Sequence, residues 1–174
     1  MPAGRERRVT ASQKVGGPET ARHEPGSTGH RSAGEAAPLA PVLVAEDNEE
    51  ARTIFARLLR KLRVVNPIQF ADDGQAAIEY LATVVSGERP APVLMVLDLN
   101  MPRKSGLDVL RWLRADDLLP VTPIVILTGS AEMDEVRECH DLGVASYLVK
   151  PVGFAALNDV LRKLDLRWGI FPAT

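Results

Sequence analysis

Four apolar runs of the sequence each end in polar side chains that could do chemistry together. Three of these side chains are carboxylates, which repel one another at close range and so favour a hard cation such as Mg²⁺. A carboxylate can also accept a phosphoryl group, and an ammonium group can neutralise charge on the group being transferred. The residue types therefore predict a phosphoryl-transfer site if the fold brings them together. In chain order they are Glu46 and Asp47, Asp98, Thr128 and Lys150.

Five short apolar runs alternate with five amphipathic segments, and this alternation would position those side chains. Aliphatic runs without period-two alternation are typical of strands buried on both faces, as in a parallel sheet covered by helices. Apolar residues at three- and four-residue steps predict the helices between them. The pattern predicts an α/β fold, a doubly wound five-stranded parallel sheet whose strand ends line one crevice. The predicted strands are Val42–Ala45, Pro67–Ala71, Val93–Leu97, Ile124–Leu127 and Ala145–Val149.

Each strand-end residue also has an ordinary structural interpretation. Glu46 and Asp47 resemble acids that the dipole favours at a helix N-terminus. Asp98 could be a solvated residue at the end of a strand, and Thr128 could cap a helix. Lys150 could be an ordinary surface charge. The joint occurrence of such groups at four strand ends favours a shared site.

Composition places the chain among ordinary globular proteins. Apolar residues make up 45% and charged residues 25% of the 174 residues, and the net charge is −2. This balance argues against nucleic-acid binding, which usually leaves a basic footprint. There is no apolar run of roughly eighteen residues, the length of a transmembrane helix, so no membrane association is expected. A single cysteine, Cys139, suits a reducing cytoplasm.

The chain divides into three segments by composition. Residues 1–40 have no aromatic side chain and no apolar period, so we predict a disordered N-terminal extension. Residues 41–166 form the predicted domain, and residues 167–174 form a C-terminal tail. About a dozen residues follow the last predicted helix. These are too few for a helix-turn-helix module, so no DNA-binding output domain is expected.

The segment around the third strand end resembles a known signature. Asp98-Leu99-Asn100-Met101-Pro102, followed by Ser105-Gly106, is similar to the phosphorylation site of two-component receiver domains. Thr128 lies 30 residues after Asp98, and Lys150 follows after a further 22, both usual intervals in that family. The resemblance covers roughly residues 41 to 166 and implies the flavodoxin-like strand order 2-1-3-4-5 with five helices.

The resemblance implies a role for each matching residue. Asp98 would accept a phosphoryl group from a phosphohistidine of a sensor histidine kinase. The chain would then be a phosphoacceptor switch with Mg²⁺-dependent self-phosphorylation and dephosphorylation, rather than an enzyme. Mg²⁺ would be held by Asp47, Asp98 and the backbone carbonyl of Asn100, with Glu46 assisting through water. The switch residues would be Thr128, Tyr147 and Lys150; Pro151 would follow a cis peptide bond, and Asn100 and Ser130 would tune phosphate lifetime.

Two departures from compact chemotaxis-type receivers indicate a subgroup. The interval from Asp47 to Asp98 is longer, and Glu-Asp-Asn replaces the commoner double Asp after the first strand. Both traits, with the segment Asn100-Met101-Pro102-Arg103-Lys104, resemble the single-domain regulators paired with phytochrome-type and other hybrid sensor kinases. The resemblance implies a sensor histidine kinase of phytochrome type, or a phosphotransfer protein of a phosphorelay, as the partner. In that subgroup a C-terminal Trp and Pro often join a dimer contact. A homodimer through the last helix and the tail, which carries Trp168, Ile170 and Phe171, is therefore a hypothesis.

Three alternatives stay open on the residues alone. A Mg²⁺-dependent phosphatase or phosphotransferase with an Asp nucleophile typically has a second Asp two residues later, where this chain has Asn100. A nucleotide-binding flavodoxin-like domain would need a glycine-rich phosphate loop after the first strand, where Glu46-Asp47-Asn48 stands instead. A receiver that no longer accepts phosphate would not need the full set of residues.

Overall fold

All five predicted strands are present in the computed structural model of the protein, which describes residues 39–115, 122–129 and 133–164, without the side chains of residues 133 and 134. The strands are β1 (Val42–Ala45), β2 (Ile68–Ala71), β3 (Leu94–Asp98), β4 (Ile124–Thr128) and β5 (Ser146–Val149). They are parallel and lie in the order β2-β1-β3-β4-β5. The predicted doubly wound α/β fold with order 2-1-3-4-5 is confirmed.

Five helices follow the strands in alternation, as predicted. They are α1 (Glu49–Lys61), α2 (Gly74–Val85), α3 (Gly106–Ala115), α4 (Met133–Asp141) and α5 (Phe154–Lys163). Side chains cap the first two helices: Asn48 Oδ1 accepts the Ala51 N–H at 2.9 Å, and Asp73 Oδ1 accepts the Ala76 N–H at 2.8 Å. Such caps satisfy N–H groups that have no partner within the helix. Both caps lie at the carboxyl edge of the sheet, where the strand-end residues gather.

The core has two layers, one on each face of the sheet. Alternate residues of a strand point to opposite faces, so neighbouring strand residues enter different layers. Leu43 and Met95 pack with α2, α3 and α4 on one face, whereas Val42 and Leu94 pack with α1 and α5 on the other. Because both faces are covered, the strands carry the continuous aliphatic runs seen in the sequence.

Strand register decides which side chains meet at the carboxyl edge. Ala45 pairs with Leu97, Asp98 pairs with Leu127, and Thr128 pairs with Val149. One step beyond these pairs, Glu46 lies level with Asp98, and the Lys150 N–H donates to the Thr128 carbonyl at 2.9 Å. The register therefore brings the acids and the lysine of separate strands to one place.

Two predicted segments lie outside the described residues, apart from residues 39 and 40: the N-terminal extension and the C-terminal tail. Within the described part of the chain, no helix combines the length and the apolar character needed to cross a membrane.

Candidate functional site

The ammonium group of Lys150 bridges two carboxylates from neighbouring strands. Its Nζ lies 2.6 Å from Asp98 Oδ2 and 2.6 Å from Glu46 Oε2. Both acids are buried, with 3% of Asp98 and 1% of Glu46 exposed. Strands β1 and β3 and the residue after β5 thus supply a charged cluster at the carboxyl edge of the sheet.

The two oxygens of the Glu46 carboxylate have partners of different kinds. Its Oε1 accepts the Asn48 N–H at 3.2 Å. Its Oε2 lies close to the Lys150 ammonium but makes no hydrogen bond with the described residues, so the contact is an ion pair without hydrogen-bond geometry. A buried carboxylate oxygen costs free energy unless a cation or donor reaches it, and the Lys150 ammonium at 2.6 Å is the cation that reaches Oε2.

A third carboxylate completes a candidate metal site. Oxygen atoms of Glu46, Asp47 and Asp98 all lie within 4.8 Å of one another. Asp47 is exposed, so the group opens to solvent on one side while its other two members are buried. Three carboxylates facing one ammonium leave an excess of negative charge. This donor set fits a hard divalent cation, which prefers oxygen ligands and keeps several waters.

The Asp98 carboxylate is oriented at both oxygens. Oδ1 accepts the Asn100 N–H at 3.1 Å, and Oδ2 accepts the hydrogen bond from Lys150. The start of α3 packs against the same residue, because a Cβ on Gly106 would overlap the Asp98 carbonyl oxygen. Asp98 is therefore held from the strand, the following loop and the neighbouring helix.

Lys150 keeps its charge in this setting. Burial alone would lower the pKa of Lys150, but the hydrogen bond to Asp98 and the negative charges of Asp98 and Glu46 outweigh burial and raise the pKa above its ordinary value of 10.5. A permanent ammonium at this position can attract an anionic group that approaches Asp98.

The remaining predicted site residues lie on or beside the last two strands. Thr128 is buried at the end of β4. Tyr147 is half-buried in β5, and its hydroxyl donates to the Val136 carbonyl of α4 at 3.0 Å. The peptide bond between Lys150 and Pro151 is cis. Ser130, the other residue predicted to tune phosphate lifetime, lies outside the described residues.

A second carboxylate–cation pair at the same edge was missed by the sequence analysis. Asp73, which is 4% exposed, accepts at Oδ2 from Arg103 Nε at 2.6 Å and also from Arg103 Nη2. Burial would raise the pKa of Asp73, but hydrogen bonds from the Ala76 N–H and Arg103, together with the Arg103 charge, lower it overall. The two residues are 30 positions apart, and no spacing rule for strand ends connects them.

Comparison with known proteins identifies the family. The family model for the response regulator receiver domain matches residues 42–162, and the chain belongs to this family. It is 35% identical to the chemotaxis protein CheY of Pseudomonas aeruginosa over 123 residues, 71% of this chain and 94% of CheY. A probable methanogenesis regulatory protein, FilR2 of Methanothrix harundinacea, is 32% identical over 127 residues, 73% of this chain and 82% of FilR2.

Solved structures agree with this assignment. The bacteriophytochrome response regulator AtBRR superposes with a TM-score of 0.66 at 33% identity, covering 78% of this chain and 99% of AtBRR. For the bacteriophytochrome response regulator RtBRR the TM-score is 0.69 at 30% identity, covering 78% of this chain and 83% of RtBRR. The predicted resemblance to two-component receivers, including those of phytochrome systems, is confirmed.

Proposed function

We propose that Asp98 accepts a phosphoryl group from a sensor histidine kinase in the presence of Mg²⁺, and that the modified domain changes its protein contacts. The observation that carries this proposal is the buried Asp98 carboxylate, whose Oδ2 lies 2.6 Å from the Lys150 ammonium beside two further acids. Membership of the receiver family supports the same role.

Magnesium would be held by Asp47, Asp98 and the backbone carbonyl of Asn100, with Glu46 assisting through water. When bound, the ion would neutralise charge on the oxygens of the transferring group. The three carboxylates supply hard oxygen donors within 4.8 Å of one another, which suits this ion.

The chain's own residues prepare the acceptor for transfer. An Asp98 oxygen would form a bond to phosphorus as the phosphorus–nitrogen bond of the donor phosphohistidine breaks, and the leaving imidazole would take up a proton from solvent. Lys150 would hold a phosphoryl oxygen, and the Asn100 N–H would keep the carboxylate in the attacking orientation. Asn100 stands where many Asp-dependent phosphohydrolases carry a second acid, which favours a switch over an enzyme that turns over a separate substrate.

The response would pass to the surface formed by α4, β5 and α5. Thr128 would donate to the new phosphoryl group, and Tyr147 would turn inward, giving up its hydrogen bond to Val136. Val149 of β5 is 57% exposed, so this surface offers an apolar contact.

The proposed donor is a sensor histidine kinase, of phytochrome type by similarity to AtBRR and RtBRR, or a phosphotransfer protein of a relay. An apolar cavity of about 420 Å³ opens beside Lys150, with Ile54 and Val152 in its wall. Such a cavity suits an apolar side chain from a helix that carries the phosphohistidine. A cytoplasmic location follows from this partner, and no nucleic acid or membrane contact is proposed.

Intact-mass measurement after treatment with acetyl phosphate and Mg²⁺ tests this function. The wild type should gain one phosphoryl group, and Asp98→Asn should gain none. Asp72→Asn is a matched control, because it makes the same chemical change at a 77% exposed carboxylate near the same edge. Equal labelling of the Asp98 variant and the control would contradict the proposal.

The homodimer through the last helix and tail stays a prediction, because residues 165–174 lie outside the described residues. Light scattering with and without beryllofluoride and Mg²⁺ would test it, and a monomer in both conditions would count against it.

A further inference from the structure

The loop that follows Asp98 is fastened to the start of α2 by charge. Arg103 lies in this loop and donates through two guanidinium nitrogens to one oxygen of Asp73, the Oδ2 atom. The other oxygen of Asp73 caps α2 through the Ala76 N–H. One buried carboxylate therefore joins two loops, and each of its oxygens has a separate partner.

The backbones of the two loops also touch directly. The Gly74 N–H donates to the Lys104 carbonyl at 3.1 Å. A Cβ on residue 74 would overlap that carbonyl oxygen, so the approach requires glycine. We call these two contacts the latch: the hydrogen bond between Gly74 and Lys104, and the ion pair between Asp73 and Arg103.

The latched loop carries a strained residue. Arg103 has φ of 64°, in the left-handed region that side chains other than glycine rarely adopt. The Lys104 N–H donates to the Pro102 carbonyl at 2.7 Å, which closes a three-residue turn around Arg103. Turns of this kind with positive φ are rare and strained, and such strain persists only where surrounding contacts hold it.

The loop leads from the latch to the phosphoacceptor in a few residues. Asn100 stands three positions before Arg103, and its N–H donates to Asp98 Oδ1 at 3.1 Å. The position of Asn100 therefore depends on how the loop is held at Arg103 and Lys104. Its backbone carbonyl is also one of the proposed Mg²⁺ ligands.

We propose that Asp73 and Arg103 are positioning residues, which hold the loop so that Asn100 orients Asp98 and meets the metal. The inference rests on the proposed function, because it assigns a support to the same site. Neither residue touches the reacting group; both act through Asn100. Supports one shell away from metal ligands typically change metal affinity by about tenfold or more when removed.

The test compares Mg²⁺ affinity in Asp73→Asn and Arg103→Ala, measured by amide chemical-shift titration of the full chain. Both variants should bind Mg²⁺ about tenfold more weakly than the wild type. A simple charge effect predicts opposite shifts, because one variant removes a negative charge near the site and the other removes a positive charge. Weakening in both variants is therefore the signature of the latch.

Two matched controls come from the same chain. Asp72→Asn removes the exposed carboxylate next to Asp73, which forms its ion pair with Arg52, at 2.7 Å, rather than with Arg103. Arg63→Ala removes another arginine with positive φ, at 60°, whose side chain makes no hydrogen bond or ion pair with the described residues. Arg63 lies after α1, at the opposite edge of the sheet. Both controls should keep Mg²⁺ affinity within about twofold of the wild type.

Two further measurements separate positioning from folding. Arg103→Ala leaves the Asp73 cap of α2 in place, so its Mg²⁺ affinity tests the positioning role even if Asp73→Asn fails to fold. Arg103→Gly and Arg103→Ala both remove the ion pair, but only the glycine relieves the backbone strain, so Arg103→Gly should melt higher than Arg103→Ala and still bind Mg²⁺ weakly. Hydrogen exchange at the Gly74 amide should speed up in both Arg103 variants, because its bond to Lys104 opens more often.

The outcomes for the latch and for the proposed function are distinct. If the wild type binds Mg²⁺ and is phosphorylated, yet both Arg103 variants bind Mg²⁺ like the controls, the latch is wrong and the function stands. Tighter binding by Arg103→Ala alongside weaker binding by Asp73→Asn would replace the latch with a charge effect. A wild type that shows no Mg²⁺-dependent shifts overturns both proposals.

Discussion

Two groups of opposite charges lie at the carboxyl edge of the sheet, and they are built differently. Around Lys150 one ammonium faces two buried acids, with exposed Asp47 as a third. Around Arg103 one guanidinium faces one buried acid, and both oxygens of that acid have hydrogen-bond partners. The first group carries surplus negative charge and an oxygen without a hydrogen bond; the second is balanced. Surplus negative charge suits a site that binds a cation and an anionic group. A pair whose charges cancel, such as Asp73 with Arg103, suits a structural role that holds two loops together.

The largest expected effect comes from removing the single cation of the first group. Lys150→Met would leave Asp98 and Glu46 buried without their counter-charge. Breaking a buried pair costs about 3 to 5 kcal/mol, and partial exposure of Lys150 reduces this to about 2 kcal/mol of unfolding free energy. Urea unfolding would measure the loss. Added Mg²⁺ should recover part of it in Lys150→Met, but not in a variant that also carries Asp98→Asn.

A smaller effect is expected from breaking the balanced pair. Asp73→Asn keeps a capping oxygen but loses the negative charge facing Arg103, so it should lower the unfolding free energy by about 1 kcal/mol at neutral pH. Asp72→Asn, at an exposed site, should change it by less than about 0.5 kcal/mol.

The contribution of Asp73 to the free energy of unfolding should depend on pH in a defined direction. The folded protein holds the pKa of Asp73 below its ordinary value of 3.8, so its contribution to stability is present above that value. It is lost as the pH falls through the folded pKa. The difference between the wild type and Asp73→Asn should therefore be constant near neutral pH and shrink below about pH 3.8. A difference that persists unchanged at the lowest pH at which the protein still folds would show that the pair is not responsible.

The smallest expected effect has the opposite sign. Asp98→Asn removes one of the crowded carboxylates, and the remaining Glu46 can then pair alone with Lys150. We expect the variant to be more stable than the wild type by roughly 0.5 kcal/mol without Mg²⁺, because relief of repulsion slightly exceeds the lost ion pair. Thermal unfolding in buffer with a chelator would measure it. A clear loss of stability would mean that the group around Lys150 does not carry surplus negative charge that destabilises the fold.

The difference between the two groups also explains what the sequence could predict. Glu46, Asp98, Thr128 and Lys150 each follow an aliphatic run, and parallel strands must bring such ends to one edge. Their meeting could therefore be anticipated from chain order and residue type. The close pairing of Glu46 with Lys150 was not anticipated, because it depends on strand register rather than on spacing.

The latch could not be predicted from the sequence at all. By residue type, Asp73-Gly74 indicates only a break between a strand and a helix, and that pattern carries no information on the partner of the second Asp73 oxygen. Arg103 carries no local signal, because a positive φ at an arginine depends on how the chain closes around it. The predicted start of β2 was one residue early, since Pro67 has no N–H for the ladder; its carbonyl still accepts from Val42 at 2.8 Å.

The contact between Asp73 and Arg103 has a consequence for how related sequences diverge. Loss of the loop arginine would leave the buried Asp73 carboxylate without a counter-charge. The residues at positions 73 and 103 should therefore change together in the course of evolution. Gly74 follows a different rule, because its contact with Lys104 is made by backbone atoms and does not depend on the ion pair. Across natural relatives, glycine should persist at that position whether or not the charged partners remain.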